Sequence, residues 1–142
     1  MTLTKSGVDA LKAAVSDVVH SIEDFATVDK INIIATGHTD PTKINPQWVS
    51  KLTKQYIDNI GPLPDDYNNK IDDNPKLSKA RAKMVTKFLT EQFKESYPNV
   101  QITEEATGKG DADCTNKKPS EYSQCRKVEI SIKVTGTTTE SE

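Results

Sequence analysis

The sequence predicts an α/β two-layer sandwich in which helices pack on a mixed β-sheet. Three observations predict it: two long segments carry apolar residues at helical spacing, Lys30 to Ala35 is a short Ile-rich run, and Val128 to Val134 alternates apolar with polar residues. A chain of 142 residues with 34% apolar content fits one domain and buries a core without help from metals. The net charge is -2, with Lys and Arg interspersed among Asp and Glu, so there is no basic face to grip a phosphate backbone. Nucleic acid is not an expected partner.

Ser6-Gly7-Val8-Asp9 has the character of a capping box, with an acid three residues after a cap-type serine. Beyond it Leu11, Val15, Val18, Ile22 and Phe25 recur at three- and four-residue steps, with Ala14 on the same stripe, which predicts an amphipathic helix. His20 falls off that stripe and reads as solvated surface. Lys30 to Ala35, bounded by Asp29 and Gly37, reads as a buried strand whose end delivers His38, Thr39 and Asp40 to a surface. Pro41 biases Asp40 to extended backbone, which points its side chain outward.

A second main helix is predicted from Asn74, a good N-cap, with Pro75 at the first helical position where a missing N–H costs nothing. Leu77, Val85, Phe88, Leu89 and Phe93 form its buried stripe, and Pro98 limits its end. Arg81 lies seven residues after Asn74, two turns on along the same side, so the two side chains face one pocket. Val100 to Ala106 follows as a strand, weakened by Glu104 and Glu105, and Gly108 and Gly110 turn the chain. In the last strand Val128, Ile130, Ile132 and Val134 alternate with Glu129, Ser131 and Lys133, giving one buried and one wet face. Residues 135–142 are polar and predict a disordered tail after a domain spanning 1–134.

Residues 41–73 form a long insertion between Asp40 and the second main helix. Asn45-Pro46 looks like a cap and first turn, Trp48, Leu52, Tyr56 and Ile60 lie at helical spacing, and Gly61-Pro62 stops the helix. Pro64 to Asp73 reads as a polar loop. The insertion either walls, covers or extends a site, or is a surface excursion packed by its own aromatic residues.

Cys114 and Cys125 bracket ten residues of loop-like composition. Their spacing leaves both a disulfide and two reduced thiols open, and a bond would contribute about 3 kcal/mol by chain entropy. CxxC spacing is absent and the two His residues, 20 and 38, do not make a zinc site, so neither metal nor cofactor is expected. There is no GxSxG, no HExxH and no third group to orient either His, so no catalytic residues are expected. No run of about 18 apolar residues is present, and the N-terminus lacks the pattern of a signal peptide. Met1 lies just ahead of a helix start, so the sequence reads as an excised fragment, with a preceding strand and an export signal or anchor expected outside it.

Three ordered blocks resemble the OmpA-like peptidoglycan-binding domain of outer-membrane protein A, peptidoglycan-associated lipoprotein and flagellar stator proteins. They are Gly37-His38-Thr39-Asp40; Asn74, Leu77, Ser78, Arg81, Ala82 and Val85; and Arg126-Lys127-Val128-Glu129-Ile130. The resemblance covers roughly residues 3–134 and implies a βαβαββ order, here with a helical insert. It implies a ligand: the diaminopimelate of the cell-wall stem peptide, with Asp40 taking the ammonium, Arg81 a carboxylate, and Thr42, Asn74 and Arg126 lining the pocket. The residue types suit the task, because a guanidinium offers a planar fork to a carboxylate. An ordinary Asp40–Arg81 salt bridge, a capping role for Asn74 and a solvated Arg126 are the plainer alternatives.

The resemblance further implies a noncatalytic module that anchors a membrane protein to peptidoglycan, in the periplasm of a Gram-negative bacterium. Contact with the outer or inner membrane would run only through a portion absent from this sequence. A homodimer is left open. The second expectation is a structural or assembly module of a stator or secretion machine, with weak or gated wall binding. Cys125 stands where the family often has Asn, and some members carry a disulfide in the corresponding loop, so the resemblance favours a Cys114–Cys125 bond.

Overall fold

The computed structural model describes residues 3–23 and 25–138. Helix α1 spans Lys5–Ser21, strand β1 Phe25–Gly37, helix α2 Pro46–Asn59, helix α3 Asn74–Ser96, strand β2 Gln101–Gly108 and strand β3 Val128–Thr138. The sheet has the order β2-β1-β3, with β1 parallel to β2 and antiparallel to β3. Helices α1 and α3 cover one face. Ile31, Ile33 and Ala35 of β1 are wholly buried against Val15 of α1 and Ala82, Val85, Leu89 and Phe93 of α3. The other face is largely polar, and there Thr103 donates to the Asn32 side chain at 2.7 Å.

Four boundaries differ from the sequence reading. The cap of α1 is Thr4, whose hydroxyl accepts from the Gly7 N–H at 3.0 Å, so the helix starts before the expected Ser6 box. It also ends at Ser21, and Phe25, placed on its stripe by periodicity, opens β1 instead. Strand β3 runs on through residues 135–138 of the expected tail. Val28 to Phe25 of β1 offers a backbone ladder that Gly136, Thr137 and Thr138 take up, so strand pairing overrides polar composition there. Residues 139–142, the rest of that tail, lie outside the described residues. His20 is on the surface, beside Glu23.

The insertion carries a small core of its own. Helix α2 is capped by Asn45, as its sequence predicts, and sends Tyr56 inward. The following segment buries Tyr67 and Ile71, so it is more than a polar loop, and both pack with Tyr56 against Leu77 and Ala80 of α3. Burial pushes the Tyr67 hydroxyl up to about 12, with the neighbouring Tyr56 and acids adding to the shift.

Two glycines set the distance between the layers. Gly37 and Gly108 are paired neighbours at the ends of β1 and β2, and the first turns of α3 lie directly on them. A Cβ at Gly37 would collide with the Ser78 carbonyl, and one at Gly108 would meet Ser78 Oγ at 2.6 Å. Ser78 is fully buried there; its hydroxyl donates to the Pro75 carbonyl and accepts from the Gly110 N–H, both at 2.9 Å. Gly37→Ala is therefore expected to cost about 1–3 kcal/mol or more, as overpacking does. Urea unfolding measures it, and a wild-type midpoint would show that the helix is not seated on the strand.

Candidate functional site

The chain beyond β1 is tied down residue by residue. The His38 N–H donates to the Lys127 carbonyl at 2.9 Å and the Thr39 N–H to the Gly110 carbonyl at 2.8 Å. Gly110 sits in the left-handed region at φ 56°, where a glycine is needed to turn its carbonyl toward Thr39. Asp40 is 7% exposed, so its side chain does not point outward as Pro41 suggested. It is folded back, with Oδ1 accepting from the Thr42 N–H at 2.8 Å and Oδ2 held by Arg126 Nε.

Asn74 is not the helix cap. Asp73, an equally good cap one residue earlier, accepts from the Lys76 N–H at 2.9 Å, and this frees Asn74. Its amide donates to the Asp40 carbonyl at 3.2 Å and the Thr42 carbonyl at 3.1 Å. The start of α3 thus clamps the turn that carries the acid.

Asp40, Thr42, Asn74, Arg81 and Arg126 all line one open cleft of about 560 Å³, with Lys43, Ile44, Trp48, Leu52 and Leu77 among its other walls. A second lobe of about 410 Å³ shares Leu52, Leu77, Arg81 and Arg126 and continues toward Leu3, Met84 and Val128. The Asp40–Arg81 salt bridge, the plainer alternative, is not made; Arg126 is the partner of Asp40, bound across from the start of β3. Arg126 is half exposed but is not a free surface charge. Arg81 is part-buried and has no carboxylate within ion-pair distance among the described residues. Burial lowers its pKa, the charge of Arg126 adds to the effect and Asp40 opposes it, yet a guanidinium stays charged. Three cations, Lys43, Arg81 and Arg126, therefore face one carboxylate in this cleft.

His38 lies behind the cleft, 1% exposed. Its Nε2 is 2.6 Å from Glu129 Oε1 and its Nδ1 3.5 Å from Asp113 Oδ2, although neither ring nitrogen finds a partner of good hydrogen-bond geometry. His38, Asp113 and Glu129 offer ligand atoms within 4.8 Å of one another, the one metal-compatible group among the described residues. The 2.6 Å separation is shorter than the roughly 3.4 Å between two ligands of one tetrahedral zinc. Lys109 also sits 3.8 Å from the Asp113 carboxylate. The short separation and the neighbouring ammonium fit a metal ion poorly.

Cys114 and Cys125 are joined, with an S–S distance of 1.97 Å, and both are buried. The bridge fixes the residue next to Arg126 and so helps aim that guanidinium at Asp40. Lys43 and Ile44 were not singled out by the sequence; their only signal was nearness to Asp40. Asp113 carried none, since its approach to His38 depends on the bridged loop. No family model matches this chain, and no curated protein matches it.

Two outcomes follow from this geometry. Burial pushes the Asp40 carboxyl up, but the bonds from Arg126 and Thr42 and the Arg126 charge outweigh it and hold the pKa below the ordinary aspartate value. A carboxyl depressed by folding stabilises the chain fully above its unfolded value of about 3.9 and loses that contribution as pH falls through the folded value. The melting-temperature gap between wild type and Asp40→Asn should therefore shrink below about pH 4; a gap that is constant or widens in acid contradicts the pairing. Paired Cys114→Ser and Cys125→Ser substitutions should lower stability by about 3 kcal/mol, read by denaturant unfolding, and an unchanged midpoint would leave the bridge without a stabilising role.

Proposed function

We propose that this chain is a noncatalytic binding module for a carboxylate-bearing zwitterion, the diaminopimelate of a cell-wall stem peptide, and that it anchors a membrane protein to peptidoglycan. The observation that carries the reading is Arg81. A part-buried guanidinium without a carboxylate is costly in a finished fold, and its cost is offset when a ligand brings one. Its fork matches a carboxylate with two parallel charge-assisted bonds.

In this reading Asp40 receives the ligand's ammonium. Both carboxylate oxygens already have protein partners, so the ammonium joins or displaces Arg126, whose half-exposed side chain has room to turn toward a second ligand carboxylate. Asn74 and Thr42 hold the acid in place. The three-to-one excess of cations favours a ligand with more carboxylates than ammonium groups, as stem peptides have. The resemblance of the Gly37 to Asp40 and Asn74 to Val85 blocks to OmpA-like domains supports the same ligand and a periplasmic setting, and the disulfide fits such an oxidising compartment.

A second reading, a structural or assembly module, is favoured by one observation: the Asp40–Arg126 pair is complete without ligand. It predicts a folded protein that fails to sediment with purified sacculi, whereas the binding reading predicts co-sedimentation. Because Leu77 and Ala80 are covered by the insertion, α2 is a fixed wall, and its removal would expose core rather than open a lid.

The direct test is calorimetric titration with a diaminopimelate-containing peptide and its amidated counterpart. Amidation or Arg81→Ala should each weaken binding by roughly 30- to 150-fold, the equivalent of about 2–3 kcal/mol for a charge-assisted contact. Equal affinity for both peptides would overturn the assignment of Arg81.

A further inference from the structure

Trp48 is the chain's only tryptophan, and it is 51% exposed on the wall of the same cleft that holds Asp40 and Arg81. Core formation does not account for it. The buried side of α2 is Tyr56 with Leu52, packed on Tyr67 and Ile71, and the Ile71 N–H donates to Thr53 Oγ1 at 3.1 Å. The helix is therefore anchored while its first turn holds the indole at the cleft. Lys51, three residues on, sets its ammonium 4.7 Å from the ring centroid, a cation–π contact that steadies the ring.

The cleft also has more room than the charged groups need. Its volume of about 560 Å³ falls in the range that encloses a drug-sized ligand, more than one amino-acid residue fills. Its walls combine two chemistries: the acid and the arginines, and the apolar side chains of Trp48, Ile44 and Leu52. Lys43 and Asn45 also line the cleft, and the side-chain oxygen of Asn45 caps α2, which leaves its amide N–H groups for a ligand. A ring with a C–H face and polar edges suits such a surface, and a pyranose is that shape.

We infer that Trp48 is a sugar platform and that the cleft takes a glycopeptide, with the charged stem at Asp40 and Arg81 and an N-acetylated pyranose of the attached glycan on the indole. The inference rests on the stem-peptide reading above and extends it to the glycan. Diaminopimelate is the third residue of the stem, so two residues and a lactyl link are all that join it to the sugar. The sugar is thus held near the cleft when the stem binds.

The test compares one stem peptide, free and joined to its disaccharide, on wild type, Trp48→Ala and Trp48→Phe, by calorimetry and, for wild type, by tryptophan fluorescence. Wild type should bind the disaccharide form about tenfold more tightly, the size of a good aromatic contact, with a change in Trp48 emission that the free peptide does not cause. The ratio should fall to about one in Trp48→Ala and be partly kept in Trp48→Phe, whose ring still stacks. Circular dichroism checks that the variants fold. A wild-type ratio of one with the peptide still bound overturns this inference alone, as does an undiminished ratio in Trp48→Ala. Binding of neither ligand overturns the stem-peptide reading together with it.

Discussion

The close seating of α3 on the ends of β1 and β2 is the contact on which the rest of this structure depends. Gly37 and Gly108 have no side chains where Ser78 comes down, and the buried Ser78 hydroxyl ties the helix to Gly110 in the next turn. Gly110 in turn holds Thr39, and Lys127 holds His38, so the segment before Asp40 is fixed from two directions. Because the helix begins so close to the strand ends, Asn74 reaches the Asp40 and Thr42 carbonyls and Arg81 comes round into the same cleft. Packing at two glycines thereby becomes the geometry of a charged site.

Electrostatics then divides the labour among the charges. Asp40 is satisfied inside the protein by Arg126 and the Thr42 N–H, which keeps it ionised despite burial. Arg81 has no such partner among the described residues and is left in partial burial with a second guanidinium nearby. One arginine pairs with the acid, and the other lines the cleft without a carboxylate among the described residues. The disulfide contributes to that division, since it fixes Cys125 beside Arg126 at the point where the bridged loop enters β3.

Sequence patterns carried the coarse architecture because periodicity reports burial directly. The Ile-rich run of β1, the alternation of β3 and the stripe of α3 were all legible, and so was α2 from Asn45-Pro46 and its four apolar residues. Boundaries depended on what composition does not show. Adjacent Asp73 and Asn74 are both good caps, and only the carbonyls offered by the Asp40 turn decide which one caps. Phe25 continued a helical period yet joined the sheet, and the polar residues after Val134 were paired by β1. The choice of Arg126 over Arg81 as partner for Asp40 was the least legible, because residues 40, 81 and 126 meet only in the folded chain. Burial of Tyr67 and Ile71 was hidden by the acids and amides around them.

The insertion is what sets this cleft apart from a simple acid-and-arginine pocket, since α2 adds an anchored wall where a short loop would leave the site open. The central claim is that Arg81 is the guanidinium held in reserve for a ligand carboxylate. The measurement that tests it most directly is nuclear magnetic resonance of the arginine Nε–H groups during titration with a diaminopimelate tripeptide. The account predicts that the Arg81 signal shifts downfield and sharpens as its fork engages the carboxylate, with a smaller change at Arg126. An unchanged Arg81 signal under saturating peptide would contradict it.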